Sequence, residues 1–388
     1  MQASRKLRLQ ILEDTDSADW RSNLTELDVG NMGASGACGL EPTVHHSQRE
    51  MLLLAAELMP KSLTSPNWHQ ALLPIANRLP ASGFLGFECR LAPGPSALDL
   101  HHPLYRPADY RALLDHRPRD ANWPPLYVLV AGCLQEGDVL GRGIATLWIE
   151  ADRPTRMGSA PVPAVFAGLK ATVHTEQLLC LLIERCLPDT SPRRLDQWIS
   201  VMRQVAALGG RISHFGFMLS RPKQPVRINV EGLEPGGLDA ILGLIDWPAQ
   251  RRPELWPLER LDASTEWTRL ALDLGETLLP SIGLEILPKP GVDRSVWIRD
   301  WLPRLVTAGL CCPAKSAGVQ AWPRRVRPSK RDDPWPDALL IEHLIRRPDD
   351  LSELILAVQH LKLSWRVHHC QAKVYLAMGR RWYDRGRA

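Results

Sequence analysis

Charged and polar side chains recur at every second residue in several short segments that are otherwise rich in apolar residues. These segments are residues 84–91, 144–152, 226–231, 282–286 and 372–378. Because successive side chains of a β-strand point to opposite sides, each segment predicts a strand with one apolar and one polar face. The polar faces combine Arg and Lys, which bind anions, with Glu, which exchanges protons. They therefore carry the groups needed for anion binding and for acid–base chemistry.

The alternation assigns individual residues to each face. Lys373 and Tyr375 lie on the polar face of their segment, opposite Val374. The other residues assigned to polar faces are Glu88, Arg90, Trp148, Glu150, Arg227, Asn229 and Glu285. The apolar faces should lie under helices, and they comprise Val226, Ile228, Leu284, Ile286, Val374 and Leu376. A shift of strand pairing by one residue would reverse all of these assignments.

Helices and strand pairs alternate along the chain in the order helix, strand, strand, helix. The clearest unit has a helix at 195–202, strands at 212–219 and 226–231, and a helix at 238–245. Further helices are predicted at 68–78, 176–186, 295–308 and 351–360, and further strands at 84–91, 127–134, 144–152, 164–169, 268–274, 282–286, 362–370 and 372–378. Strands joined as adjacent pairs form antiparallel hairpins, which predicts an α+β fold with about ten strands in an antiparallel sheet.

The polar side of this sheet has two alternative environments. In an open sheet it faces solvent, whereas in a closed barrel it lines the inside, and about ten strands make a barrel wide enough to hold a ligand. In both cases helices with an apolar stripe cover the other side. The sequence leaves the choice between the two architectures open.

Length and composition are those of a globular protein. The chain has 388 residues, 45% of them hydrophobic and 23% charged, with a net charge of +4. This composition excludes a disordered chain, and the balanced charge does not favour nucleic acid as a partner. Two basic runs, at 324–331 and 380–387, are interpreted as solvated loop and tail segments. Neither a membrane span nor an export signal is predicted, so we expect a cytoplasmic protein with reduced cysteines.

The predicted domain organisation is simple. Residues 1–48 are polar and glycine-rich and are expected to form a loosely ordered N-terminal leader. Residues 49–388 are expected to form one large domain built from the α-β-β-α units.

Three histidine doublets, at 45–46, 101–102 and 368–369, could suggest a metal site. Neighbouring residues on a strand point to opposite faces, so a doublet rarely supplies two ligands to one ion. The sequence accordingly predicts no bound metal and no cofactor, and leaves Mg²⁺ open.

The order of elements resembles the antiparallel barrel of the ABBA-type prenyltransferases, a family with aromatic, indole and cyclic-peptide members. The segment Lys373-Val374-Tyr375 is similar to the Lys-x-Tyr strand pattern of that family, and Arg90 and Arg227 occupy comparable alternating positions. The resemblance covers residues 65–380 as architecture and only short strand patterns as sequence. It implies helices around a barrel whose inner face binds an allylic diphosphate.

The resemblance implies transfer of an allylic isoprenoid from its diphosphate to an aromatic or peptide acceptor in natural-product biosynthesis. It assigns the diphosphate to Arg90, Arg227, Lys373 and Tyr375, proton removal to Glu150 or Glu285, and the acceptor to Trp148, His214 and Asn229. The chain has only 5 Tyr, although the family lines its barrel with this residue. Trp148 and Trp365 are the candidates to replace the missing tyrosines.

Two alternatives of other classes remain at this point. The chain could be a non-catalytic protein that binds a peptide or small molecule, or serves as an accessory protein of a modified-peptide pathway. It could also be an enzyme of a different class, in which the same acid–base groups catalyse another reaction. Closure of the strands into a barrel, with Arg227 and Lys373 facing a common cavity, is the observation that favours prenyl transfer.

Overall fold

The computed structural model describes most of the chain beyond the N-terminal region. The described residues are 47–94, 98–105, 107–115, 123–135, 137–151, 162–171, 174–219, 221, 225–233, 237–248, 265–276, 278–326, 350–366 and 369–384. The predicted leader falls almost entirely on residues 1–46, which lie outside this set. The division into a leader and a single domain therefore stays a prediction.

The described residues form eleven β-strands. In chain order these are β1 Phe84–Arg90, β2 Leu98–Leu104, β3 Ile144–Ala151, β4 Ala164–Leu169, β5 Arg211–Phe217, β6 Val226–Glu231, β7 Thr265–Leu274, β8 Leu278–Pro288, β9 Arg324–Val326, β10 Asp350–Arg366 and β11 His369–Asp384. Every pairing between them is antiparallel.

Ten of these strands close into a barrel. Strands β1 to β8 pair in chain order, β8 pairs with β10, and β10 pairs with β11. The last strand then pairs with the first, from Phe84 opposite Gly379 to Arg90 opposite Lys373. The short strand β9 flanks β10 and is not part of the ring. The predicted α+β fold is confirmed, and the choice between an open sheet and a barrel is settled in favour of the barrel.

Helices occupy the connections after every second strand. They are α1 Gln48–Leu58, α2 Leu73–Ala76, α3 Pro107–Asp115, α4 Pro124–Leu134, α5 Val139–Gly143, α6 Thr175–Cys186, α7 Pro192–Ala207, α8 Gly237–Leu244, α9 Arg294–Thr307 and α10 Pro313–Ala321. The strands of each pair, β1 and β2, β3 and β4, β5 and β6, β7 and β8, and β10 and β11, are separated by 2 to 12 residues of chain. Since the strands alternate in direction, the strand ends that these segments join all lie at one end of the barrel. Among the described helices, none is long and apolar enough to cross a membrane.

The hydrophobic core lies between the helices and the outer face of the barrel. The six apolar strand residues assigned to this side, Val226, Ile228, Leu284, Ile286, Val374 and Leu376, are all fully buried there. Helix α7 contributes a buried stripe of Trp198, Met202 and Val205 to this core and packs against β5. Burying one such aliphatic side chain contributes about 1.5–3 kcal/mol, so a one-residue slip of a strand would be expensive. The predicted register is confirmed.

Two segments adopt a different secondary structure from the one predicted. Residues 127–134 belong to helix α4, whose N-terminal Pro124 and Pro125 favour a helix start and whose apolar surface packs against α3, α5 and α6. Residues 351–360 form the first part of strand β10 and pair with both β9 and β11. A continuous apolar run fits either structure, and the surroundings decide between them.

Two other expectations are also corrected. Strand β2 was not predicted, because Pro103 and two histidines interrupt its apolar pattern. The basic runs were expected to be solvated, yet Arg324 begins strand β9 and Arg380 lies within β11, where its side chain is buried. Strand pairing at these positions outweighs the tendency of charged residues to stay in solvent.

Candidate functional site

The polar face of the strands lines the inside of the barrel, termed the lumen. This follows from the register, since the alternate residues are packed under the outer helices. Groups from separate strands act on one another across the lumen: Glu150 of β3 and Tyr375 of β11 both contribute to the raised pKa of Arg227 on β6. Burial works against this raised pKa, and Asp273 is the main group that outweighs it.

Four inward-facing glycines make room for side chains of neighbouring strands. A Cβ at Gly86 would lie 3.2 Å from His101 Cβ, and one at Gly283 would lie 3.2 Å from Lys362 Cε. A Cβ at Gly216 would overlap the Phe166 ring, and one at Gly168 would meet Thr146 and His214. The glycines thus let large polar and aromatic side chains lie flat against the barrel wall.

Glu88 is the centre of one lumen cluster. Its carboxylate accepts hydrogen bonds from Lys373 Nζ at 2.5 Å and from the Tyr375 hydroxyl at 2.5 Å. Burial raises the pKa of Glu88, but Lys373, His101 and the two hydrogen bonds outweigh burial and hold this pKa well below its usual value. Glu88 is therefore an anion, and its carboxylate is the hydrogen-bond partner of both Lys373 and Tyr375, the Lys-x-Tyr pair found in the sequence.

Arg227 and Arg90 bind other carboxylates. Arg227 donates from Nε to Asp273 Oδ1 at 2.7 Å and from Nη2 to Oδ2 at 3.1 Å, a bidentate contact between β6 and β7. Against the effect of burial, this contact lowers the pKa of Asp273 to about 2. Arg90 donates from Nη2 to Asp99 Oδ2 at 2.7 Å. The lumen thus holds these cations in separate ion pairs, each with an internal carboxylate.

Glu285 lies in a third group of charges. Its carboxylate accepts from Lys362 Nζ at 3.0 Å, and Arg269 Nη1 lies 3.6 Å from its other oxygen. Although burial opposes ionisation, Lys362 is the largest of the influences that lower the pKa of Glu285. Arg269 also donates from Nε to Glu231 at 2.7 Å. Glu285 is consequently held as an anion between two cations.

Glu150 differs from the other lumen carboxylates. It is 6% exposed, and its oxygens form no hydrogen bond or ion pair within the described part of the chain. Its register partner is His101, which is 8% exposed and whose Nε2 also has no hydrogen-bond partner among the described residues. Ligand atoms of Glu88, His101 and Glu150 all lie within 4.8 Å of one another. This is the group of described residues that could hold a metal ion.

Aromatic side chains form an apolar wall beside Glu150. Trp148 contacts Phe84 edge-to-face with ring centroids 6.3 Å apart, and Tyr105 at 5.8 Å. Phe166 and Met218 also pack against Trp148. Trp148 therefore lies in the lumen as predicted, whereas Trp365 is fully buried on the opposite, helix-facing side of β10 and cannot replace a lumen tyrosine.

The remaining acceptor candidates are register partners on adjacent strands. His214 of β5 pairs with Asn229 of β6. His214 Nδ1 lies 3.0 Å from Ser213 Oγ, and burial lowers the pKa of His214 to about 3, so its ring is neutral. Asn229 Oδ1 is buried without a hydrogen-bond partner in the part of the chain that is described. The two residues offer neutral polar atoms to a lumen ligand.

Sequence reasoning missed several lumen residues, namely Asp99, His101, Arg269, Asp273, His360 and Lys362. Asp99 and His101 were missed because strand β2 was not recognised. Asp273 lies on a predicted strand whose faces had not been assigned, and its alternation with Leu272 and Leu274 was the available signal. His360 stacks on Tyr375 with ring centroids 4.0 Å apart, a contact that depends on an irregularity of β10 between Val358 and His360.

Comparison with known proteins finds solved structures that have a similar fold. No family model and no curated protein matches the chain. The structure is similar to AnaPT from Neosartorya fischeri, with a TM-score of 0.50, 11% identity, and coverage of 86% of this chain and 94% of that one. It also matches the apo form of the prenyltransferase PriB, with a TM-score of 0.47, 13% identity, and coverage of 85% and 94%.

A third similar structure carries ligands. It is 6-dimethylallyltryptophan synthase from Micromonospora olivasterospora in complex with DMASPP and Trp, with a TM-score of 0.44, 15% identity, and coverage of 84% of this chain and 90% of that one. The closed antiparallel barrel and the likeness to AnaPT give the chain the fold of the ABBA-type prenyltransferases. At these identities the likeness concerns the fold.

Proposed function

We propose that this chain transfers an allylic isoprenoid group from its diphosphate to an aromatic or peptide acceptor in natural-product biosynthesis. The observation that carries the proposal is the position of Glu150 in the lumen. It is a buried carboxylate without a partner among the described residues, it lies beside an aromatic wall, and it acts electrostatically on Arg227 and Tyr375. A base, an apolar surface and anion-binding groups thus face one space.

The donor diphosphate would be bound by Arg90, Arg227, Lys373 and Tyr375. To do so it must replace Asp99, Asp273 and Glu88 as the partners of these groups. A diphosphate can make this exchange because it carries more charge than a carboxylate and offers several oxygens to the guanidinium fork. Glu88 and Asp273 would act as internal placeholders that keep the cations ordered before the donor binds.

Bond cleavage would then take place against the aromatic wall. The allylic C–O bond breaks with both electrons leaving on the diphosphate oxygen, and the resulting carbocation is stabilised by the face of Trp148. An acceptor ring carbon attacks this cation and forms the new C–C bond. The closed barrel limits access of water, which would otherwise quench the cation.

Glu150 is the better placed of the two predicted bases. After bond formation the acceptor must lose a proton, and the Glu150 oxygens are free of hydrogen bonds within the described residues and can accept it. Glu285 is held by Lys362 and Arg269, and its lowered pKa makes it a weak proton acceptor. His214 and Asn229 would orient the acceptor through their neutral polar atoms.

Calorimetry with dimethylallyl, geranyl and inorganic diphosphate tests the donor site. We expect binding heat, and the variants Arg227→Gln and Lys373→Gln should weaken it by roughly 10- to 150-fold, about 1.5–3 kcal/mol per charged hydrogen bond. Arg203→Gln is the matched control, because Arg203 forms an exposed ion pair on α7. Absence of heat with every diphosphate would overturn the proposal.

A second candidate function is supported by the pairing of the lumen cations. Since Arg90, Arg227 and Lys373 already have carboxylate partners, the lumen also suits a neutral peptide or small molecule that is bound without reaction. Mass spectrometry after incubation with dimethylallyl diphosphate and tryptophan or tryptophan-containing peptides separates the two. A prenylated product that disappears in Glu150→Gln supports transfer, and binding of the acceptor without a product supports the accessory role.

A further inference from the structure

We propose that Glu88, His101 and Glu150 form a binding site for a divalent transition-metal ion of the Zn²⁺ class. The three residues come from three adjacent strands, β1, β2 and β3, and all face the lumen. Their ligand atoms lie within 4.8 Å of one another. Metal–ligand bonds to Zn²⁺ of about 2.0–2.2 Å require ligand atoms roughly 3–4 Å apart, so small side-chain rotations complete the site.

The ligand atoms of two of these three residues have no hydrogen-bond partner among the described residues. His101 is more than nine-tenths buried, and its Nε2 is without a hydrogen bond in the described part of the chain. Glu150 forms no hydrogen bond or ion pair there either. A buried polar atom without a hydrogen bond is unfavourable, and a carboxylate in the same space attracts a cation. A cation between them would satisfy both groups at once.

The third ligand can bind the ion without giving up its present contacts. Each Glu88 oxygen accepts one hydrogen bond, from Lys373 or from Tyr375, and each has a second lone pair. The Lys373 ammonium leaves Glu88 and Glu150 with a net local charge of −1, which a divalent ion reverses to +1. Gly86 supports this arrangement, because a larger residue opposite His101 would crowd its Cβ.

The donor set selects among metals. One imidazole nitrogen with two carboxylate oxygens suits Zn²⁺, Co²⁺, Mn²⁺ and Fe²⁺, whereas Mg²⁺ and Ca²⁺ prefer sites made only of oxygen ligands. Three protein ligands leave at least one coordination position for water or another small ligand. The site is thus of the open type, and it does not depend on the proposed prenyl transfer. If both proposals hold, an ion bound to Glu150 would inhibit transfer by occupying the base.

Metal binding to the EDTA-treated full chain tests the site without any measurement of turnover. Dialysis against Zn²⁺ followed by metal analysis should give one tightly held ion per chain, and Mg²⁺ should not displace it. Co²⁺ should give visible d–d absorption without the near-ultraviolet thiolate band that binding to a cysteine would produce. A thiolate band, or no retained ion, would overturn the proposal.

Variants locate the ion. His101→Gln and Glu150→Gln should each weaken binding of Co²⁺ at least tenfold, while His360→Gln should bind as the unaltered chain does, because His360 is a buried lumen histidine outside the group of three. Circular dichroism shows whether each variant is folded, and Glu150→Asp serves as a conservative second variant with intermediate affinity. Undiminished binding by folded His101→Gln and Glu150→Gln, or equal loss in His360→Gln, would refute the assignment.

Discussion

His101 and His102 are consecutive in the sequence and lie on opposite sides of β2. His101 faces the polar lumen, whereas His102 is fully buried on the side of the helices. Within the described residues neither ring nitrogen of His102 has a hydrogen-bond partner. Burial lowers the pKa of His102 to about 4, although the charge of Asp109 acts in the other direction. The same residue type thus serves as a lumen group in one position and as a neutral core residue in the next.

His102 should make the fold sensitive to mild acid. Its pKa falls from about 6.5 in the unfolded chain to about 4 in the folded protein, so only the unfolded chain binds this proton between those values. The contribution of neutral His102 to the free energy of unfolding is therefore fully present above pH 6.5 and is lost as the pH falls towards 4. At pH 5 the loss from this residue is about 2 kcal/mol relative to pH 7.

The substitution His102→Leu tests this linkage. The free energy of unfolding is measured in urea at pH 7 and at pH 5 for both proteins. Its decrease from pH 7 to pH 5 should be about 2 kcal/mol smaller in the variant than in the unaltered chain. Equal losses in the two proteins would show that His102 does not cause the acid sensitivity. Burial likewise lowers the pKa of His214 and that of His360 to about 3, so these two histidines should leave part of the pH dependence in place.

Paired strands, and not single residues, determine which lumen side chains meet. Lys373 and Tyr375 could be assigned to the polar face from alternation alone, because Val374 and Leu376 had to be buried. Their partner Glu88 is 285 residues from Lys373 and meets it only through the β1–β11 pairing. The sequence therefore predicted the faces, but it could not predict the ion pairs, which depend on the order in which strands become neighbours.

The errors in secondary structure have the same origin. Residues 127–134 and 351–360 are both apolar on most sides, so their local pattern fits a helix and a strand equally well. The first became a helix among other helices, and the second became a strand between β9 and β11. Strand β2 was missed because its outward residues include His102 and its inward residues include Pro103.

An inward glycine tests how tightly strands β4 and β5 are packed at the lumen wall. Gly216→Ala places a Cβ against the Phe166 ring, which must move, so we expect a loss of about 1–3 kcal/mol in urea unfolding. The matched control is Gly243→Ala in helix α8, where a Cβ meets no atom within 4 Å. That substitution should stabilise the protein by about 0.5–1 kcal/mol. A neutral Gly216→Ala would contradict the packing described here.

At the scale of the whole molecule, strand β11 keeps the barrel closed. It pairs with β1 on one side and with β10 on the other. Its inward residues hold the Glu88 cluster, and its outward residues, including Val374 and Leu376, lie in the hydrophobic core. The lumen and the core therefore both depend on this single strand.

Removal of residues 369–388 should abolish cooperative folding. Strands β1 and β10 would lose their partner and expose unpaired backbone groups, and the helices would lose part of their apolar contact. We expect binding of a hydrophobic dye and no sharp thermal transition. Removing only residues 385–388, which follow β11, is the control and should preserve the transition. A cooperative transition in the longer truncation would show that the barrel does not need closure.

The pairing of the first strand with the last also constrains how the chain acquires its structure during synthesis. Strand β1 leaves the ribosome long before β11, since Lys373 follows its partner Glu88 by 285 residues in the chain. Until then the growing sheet has an open edge at β1 that can pair with other chains, so a chaperone that shields this edge should raise the yield. Contacts between such distant residues also slow folding, because the ends of a long loop must meet first. Closure of the barrel is therefore expected to be the late, rate-limiting event.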